Sequence, residues 1–170
     1  MTERQIRLFG DPVLRSRTDP IADPGDTRVR ALVDDLIDSV RPPGRAGVAA
    51  TQIGVGLRAF SVNIDSRISY VINPVLEVAG EPGLVDEGCL SVPGFSFPRM
   101  RYPWARVTGV DVDGNEVVLE GDGLMAQALQ HETDHLDGKL YIEGLEPETK
   151  REAMRAVRQA DWFGAGSARR

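Results

Sequence analysis

The chain has 170 residues, a net charge of −6 and 41% hydrophobic residues, which is typical of one globular domain. The negative charge argues against nucleic acid or an anionic membrane as the main partner. No stretch approaches the ~18 consecutive apolar residues of a transmembrane helix. The first residues lack the apolar run of a signal peptide, and one cysteine cannot form an internal disulfide. We therefore expect a reducing, cytoplasmic location.

The first part of the chain predicts one helix followed by short strands. Residues 8–26 are rich in Pro, Asp and Gly and are expected to form an ordered loop. A helix is predicted to begin at a cap, Asp26 or Thr27, and to end before Pro42-Pro43-Gly44. Short strands are predicted at 59–64 and 69–72. The later prolines predict irregular chain, namely Pro93, Pro98 and Pro103.

The second part predicts a hairpin and two further helices. Residues 106–112 and 116–119 flank Asp113-Gly114-Asn115, which is a hairpin signal. An almost wholly buried helix is predicted from near Gly123 to Gly138, followed by a short strand at 140–142. An amphipathic helix is predicted over 148–163 and a disordered tail over 164–170. The fold class is therefore α+β: one catalytic domain, 1–163, with short antiparallel strands around a central helix and a helix near each end.

The central helix carries both histidines of the chain, in His131-Glu132-Thr133-Asp134-His135. Residues i and i+4 of a helix are stacked neighbours, so both imidazoles can bind one metal, with Glu132 beside the open position. No histidine remains for a third ligand, and the single cysteine, Cys89, is the soft alternative. Taken alone, the motif also fits a solvated helical turn, and Cys89 fits a small buried hydrophobe. Together they predict a catalytic metal centre with two histidines and one cysteine.

Three segments together resemble the peptide deformylases: 47–52 (GVAATQ), 87–91 (EGCLS) and 130–135 (QHETDH). The early segment 10–15 (GDPVLR) is also similar to the family's N-terminal segment, so the resemblance covers roughly residues 8–145. Two positions depart from the family's glycine-rich loop. Arg45 stands where the family has its first glycine, and Val48 stands where it has leucine. These departures concern the loop entry and the pocket rim, whereas every metal-ligating and proton-handling position matches.

The resemblance implies a hydrolase that removes the N-formyl group from nascent polypeptides beginning with formylmethionine. It implies Cys89, His131 and His135 as ligands of ferrous iron, which nickel, cobalt or zinc can replace. A water or hydroxide in the fourth position then attacks the formyl carbonyl. The implied partners are formylated nascent chains and, through the biology of that substrate, the ribosome near its exit tunnel. The only candidate docking surface is the basic face of the last helix, with Lys150, Arg151, Arg155 and Arg158.

The resemblance also implies roles for three further residues. Glu132 is the general base and acid, because a carboxylate can take the water proton and pass it to the departing amine. The side-chain amide of Gln52 and the backbone N–H of Leu90 stabilise the oxyanion, a contribution of ~2.7–4 kcal/mol for each donor elsewhere. Without the resemblance, Gln52 fits a surface residue that caps a turn better than a catalytic one.

The substrate's methionine side chain requires an apolar slot. Gly47 is expected to let the backbone approach the metal closely. Arg101 is expected either to contact the peptide backbone or carboxylate, or to be a solvated loop arginine. Gln127 would be an unexpectedly polar neighbour if it faced the slot. Four residues are predicted to line it, although plain core packing explains them equally well: Ala46, Val85, Leu124 and Ala128.

Two other functions remain open from the residues alone. A general metallopeptidase would use a third ligand downstream of the helix, for which Glu143, Glu146 and Glu148 are available. A non-catalytic, metal-stabilised binding domain would use a closed site with four protein ligands, usually with more than one cysteine. The three strong ligands of this chain favour an open, catalytic site.

Overall fold

The computed structural model describes residues 3–164, in which three α-helices combine with two antiparallel sheets. The predicted α+β class is confirmed. None of the described helices has both the length and the apolar character needed to cross a membrane. The predicted tail, 164–170, lies outside the described residues except for Gly164.

The helices are α1 (Thr27–Val40), α2 (Gly123–Leu136) and α3 (Pro147–Arg158). The strands are β1 (Gly47–Ala49), β2 (Ala59–Ile64), β3 (Arg67–Ala79), β4 (Gly83–Cys89), β5 (Val92–Arg101), β6 (Trp104–Val110) and β7 (Glu116–Asp122).

Helix α1 forms as its sequence predicts. The Asp26 side chain accepts a hydrogen bond from the Arg28 N–H at 2.8 Å, which satisfies one free donor of the first turn. One face of the helix is buried against β1 and β2, so α1 covers one side of the main sheet. The residues of that face are Val29, Leu32, Val33, Leu36 and Val40.

The main sheet holds five strands in the order β1-β2-β3-β6-β7, and β4 pairs with β5 in a separate two-stranded sheet. The predicted hairpin is present, with Val110 opposite Glu116 at its closed end. The second strand is longer than predicted and continues to Asp122, whereas the first has the predicted length but is shifted to Trp104–Val110. Helix α2 follows β7 directly and packs in a core cluster with Phe60, Val62 and Val107. The strands therefore enclose α2 and fix its position.

Three details of the sequence prediction are wrong. Residues 92–101 form strand β5 and not irregular chain; β5 pairs only with β4, so its other edge can accommodate the missing N–H groups of Pro93 and Pro98. Residues 141–144 form a 3₁₀-helix and not a strand, closed by a hydrogen bond from the Leu140 N–H to the Glu143 carboxylate. Helix α3 ends at Arg158, before a series of turns.

Candidate active site

The structure brings Cys89, His131 and His135 together. Cys89 ends β4, and the two histidines lie one turn apart on α2. One ligand atom from each residue lies within 4.8 Å of the other two, and Cys89 Sγ is 3.3 Å from His135 Nε2. A thiolate and two imidazoles form a donor set that suits zinc, iron, cobalt or nickel. Within residues 3–164 this is the only group of three such side chains placed to hold a metal ion.

A carboxylate orients the first histidine. His131 Nδ1 lies 2.7 Å from Glu87 Oε1, which leaves Nε2 available for a metal. The contact fixes both the ring orientation and the tautomer, as carboxylates do for metal-binding histidines generally. Sequence reasoning missed this role of Glu87. The sequence did contain a signal for this role: Glu87 and Cys89 are two residues apart on one strand, so their side chains project on the same side of it.

Arg101 supports this carboxylate, and the expectation of a solvated loop arginine is wrong. Its side chain is only 6% exposed, so it is not a solvated loop arginine. Its Nε and Nη2 bind the two Glu87 oxygens at 2.8 and 2.6 Å, and Nη1 binds Asp134 at 2.7 Å. These contacts use three of the five guanidinium N–H groups, and Arg101 is not among the residues that line the cavity beside the ligand group, so its contact with the peptide stays a prediction. Burial alone would raise the pKa of Glu87, but the hydrogen bonds from Arg101 and His131 lower it to about 2.

Glu132 lies between the two histidines in sequence and is buried at 2% exposure. Its Oε2 has no hydrogen-bond partner among the described residues. Burial raises the pKa of Glu132 to about 7, while the charge of His131 opposes that shift. Gly47 packs against this side chain: a Cβ built on Gly47 would lie 2.7 Å from Glu132 Cγ and Cδ. Glycine at this position therefore makes room for the carboxylate.

Gln52 is buried at 1% exposure, so it is not a surface residue. Its Oε1 accepts a hydrogen bond from the Ala49 N–H at 2.9 Å, which does cap the following 3₁₀ turn. That bond leaves the Nε2 donors on the other side, 3.3 Å from Ser91 Oγ and 3.6 Å from Cys89 Sγ. The amide donor therefore lies beside the metal-ligand group. Leu90, the third predicted catalytic residue, lines the adjacent cavity.

A cavity of about 510 Å³ opens beside these residues. Three of the four predicted slot residues line it, namely Ala46, Leu124 and Ala128, as does Gly47. Val85 does not, because the cavity meets β4 only from Asp86 onwards and Val85 lies one residue earlier, 36% exposed. Gln127 does line it and is the polar neighbour that the sequence suggested.

The two departures from the family's loop are accommodated in different ways. Val48 is fully buried in the core, where a branched aliphatic side chain fits. Arg45 lies in the cavity wall, where Nη1 donates to the Ser39 carbonyl at 2.6 Å and Nη2 pairs with Glu3 at 2.7 Å. Its charge is thus paired with Glu3 of the N-terminal segment, while the Ser39 carbonyl of α1 accepts a further hydrogen bond.

The downstream glutamate expected for a general metallopeptidase is not part of the ligand group. Glu143 instead accepts the Leu140 N–H at 3.1 Å. Among the described residues the group contains three protein ligands and no fourth. A closed structural site would need that fourth ligand, so the geometry fits an open catalytic site.

Comparisons with known proteins agree with this geometry. The family model described as polypeptide deformylase matches residues 3–151. A peptide deformylase of Acidothermus cellulolyticus is 47% identical over 164 residues, covering 96% of this chain and 91% of the relative. The crystal structure of a peptide deformylase from Legionella pneumophila has a TM-score of 0.85 at 32% identity and covers 99% of both chains. A peptide deformylase from Ehrlichia chaffeensis in complex with actinonin has a TM-score of 0.84 at 29% identity, covering 95% of this chain and 99% of that one. The chain therefore belongs to the peptide deformylase family.

Proposed function

We propose that Cys89, His131 and His135 hold one divalent metal ion with which this enzyme removes the N-formyl group from newly synthesised polypeptides. The observation that carries the proposal is the group of three ligand atoms within 4.8 Å, beside a buried carboxylate and at the edge of a cavity. When bound, the metal supplies Lewis acidity that brings the pKa of a water toward ~7 and polarises the formyl group. Ferrous iron is the proposed native ion, with nickel, cobalt or zinc as substitutes.

Glu132 moves the proton in this proposal. Its Oε2 has no partner among the described residues, so it is free to accept a proton from the attacking water. The same carboxyl group then gives that proton to the departing amine. An amine is a poor leaving group unless it is protonated, so this transfer completes the cleavage of the amide.

Gln52 and Leu90 stabilise the negative charge that develops on the formyl oxygen. The Ala49 N–H holds Gln52 Oε1, so the Nε2 donors remain directed toward Cys89 and Ser91. A donor that is already oriented costs no reorganisation when the charge forms. The Leu90 backbone N–H, next to Cys89 in the chain, is the proposed second donor.

The proposed substrate is the first residue of a formylated chain, with its side chain in the cavity beside α2. Leu124 and Ala128 offer apolar contact there, and Ala46 keeps the opposite wall small. The cavity of about 510 Å³ is large enough for a methionine side chain and the start of the peptide. This arrangement leaves the formyl group at the end nearest His131 and Glu132.

A location in the cytoplasm and a ribosomal partner belong to the same proposal. Helix α3 is amphipathic, and its exposed side carries Arg151, Arg155 and Arg158. Basic side chains of this kind are attracted to the phosphates of ribosomal RNA without reading sequence. Co-sedimentation with ribosomes should therefore weaken with salt and with the Arg151→Glu/Arg155→Glu double variant. Equal sedimentation of both proteins would contradict docking through α3.

The decisive test of function compares wild-type protein with Glu132→Gln in a formate-release assay on formyl-Met-Ala. Glutamine keeps the shape of the side chain but cannot accept the water proton, so the activity should fall by about 10²–10⁴-fold. Metal content, measured on the same samples, should be unchanged because no ligand is altered. Turnover near the wild-type rate in a metal-replete Glu132→Gln sample would contradict the proposed role.

A further inference from the structure

One side of α2 forms a continuous part of the cavity wall. Gln127 and Ala128 lie three and four residues after Leu124, and His131 lies four and three residues after them. The four side chains therefore share one side of the helix. His131 belongs to the ligand group, and Leu124 and Ala128 are apolar. Gln127 is the uncharged polar member of this stripe, and the reaction described above does not use it.

Two contacts determine which way the Gln127 amide is turned. Its Nε2 lies 2.8 Å from the Asp86 carbonyl oxygen and 3.4 Å from Glu87 Oε2. The Asp86 carbonyl oxygen can only accept a hydrogen bond, so the amide nitrogen must face it. The amide oxygen Oε1 is left without a donor among the described residues, and it is not among the fully buried atoms that lack a partner. The cavity wall therefore presents an accessible acceptor.

We propose that Gln127 is a specificity-determining residue, whose Oε1 accepts a hydrogen bond from the first side chain of the substrate. The enzyme then accepts formyl peptides whose first side chain ends in a neutral N–H donor, such as glutamine, as well as formylmethionine. This inference rests on the proposed function. Glutamine and methionine side chains have similar lengths, so Leu124 and Ala128 can contact the aliphatic part of either.

The residues around Gln127 favour a substrate side chain that donates a hydrogen bond over one that is acidic. Arg45 is the cation of this wall, and Ser39 and Glu3 already bind its guanidinium. Asp86 and Glu87, next to Gln127, are acidic. Leu124 is 54% exposed, so the slot is open to water there, and the oxygen of a substrate glutamine can remain hydrated.

The test compares kcat/KM for formyl-Met-Ala and formyl-Gln-Ala, both followed by formate release. Gln127→Met keeps the length of the side chain but removes the acceptor, which leaves the substrate amide unpaired. The preference for methionine over glutamine should then rise by about tenfold or more. Gln5→Met is the matched control, because Gln5 is exposed and lies outside the cavity wall. It should leave both rates and their ratio unchanged.

Gln127→Glu distinguishes the role of the acceptor oxygen from that of the hydrogen bond between Gln127 and β4. The glutamate keeps acceptor oxygens but has no N–H group to donate to the Asp86 carbonyl. Its preference ratio should stay near or below the wild-type value. If the preference for methionine rose equally in Gln127→Met and Gln127→Glu, the effect would come from the lost hydrogen bond to Asp86, and the inference would be overturned. An unchanged preference ratio in Gln127→Met would also overturn the inference. If Gln127→Met does not fold, Gln127→Leu takes its place in this comparison. Failure of the wild-type enzyme on formyl-Gln-Ala alone also overturns it, whereas failure on formyl-Met-Ala contradicts the proposed function itself.

Discussion

Replacing Gly47 with alanine adds one methyl group at the point where β1 meets the Glu132 carboxylate, the proposed general base. The added Cβ would lie 2.7 Å from Glu132 Cγ and Cδ. Carbon atoms in contact need about 3.5–4.0 Å, so the carboxylate must move by about 1 Å. A displacement of this size at a catalytic group costs roughly 100-fold in rate. We therefore expect Gly47→Ala to lower kcat/KM for formyl-Met-Ala about 100-fold.

The assay must separate this displacement from a loss of fold or of metal. Overpacking costs about 1–3 kcal/mol of unfolding free energy, which urea denaturation measures. Metal content should stay at the wild-type value, because no ligand changes. Gly56→Ala is the control: a Cβ there meets no atom within 4 Å, and Gly56 lies outside the cavity wall. If Gly47→Ala retained wild-type kcat/KM, the placement of Glu132 against β1 would be refuted.

Three further predictions concern the support of the site and its metal. Arg101→Leu leaves the buried Glu87 carboxylate uncompensated and should lower the unfolding free energy by about 3–5 kcal/mol in urea denaturation. Because the pKa of Glu87 is lowered from 4.5 to about 2, its stabilisation is present above pH 4.5 and is lost as pH falls toward 2. Denaturation in chelator should show a loss of about 3 kcal/mol over that range that Glu87→Gln lacks. If iron is native, activity should decay in air and persist after nickel substitution; an air-stable enzyme isolated with zinc alone would contradict iron.

Local sequence signals predicted the parts of the fold that depend on neighbouring residues. The cap at Asp26, the hairpin around Gly114 and the end of α2 before Gly138 all follow from turn and capping chemistry. The histidine spacing and the single cysteine likewise predicted the three side chains that the structure brings together. These features need no knowledge of distant contacts, because the relevant residues are close in sequence or unique in the chain.

Features that depend on distant contacts were not predictable in this way. Arg101 lies among prolines and resembled a loop residue, yet β5 carries it to Glu87 on the paired strand and to Asp134 on α2. The strand itself was missed because proline disfavours central strands, and sequence alone does not show that β5 has a free edge. Tyr141 resembled a strand residue, but local hydrogen bonding from Leu140 to Glu143 favoured a 3₁₀ turn.

The proposed function depends most directly on Cys89, which completes the proposed metal site with His131 and His135. A serine hydroxyl is a much poorer ligand than a thiolate at neutral pH, so Cys89→Ser should lose most of its metal. The measurement is metal stoichiometry after dialysis, with formate release from formyl-Met-Ala on the same samples. The account predicts about one metal per wild-type chain, far less in Cys89→Ser, and a parallel loss of activity. A Cys89→Ser protein that keeps its metal and deformylates at the wild-type rate would contradict the account.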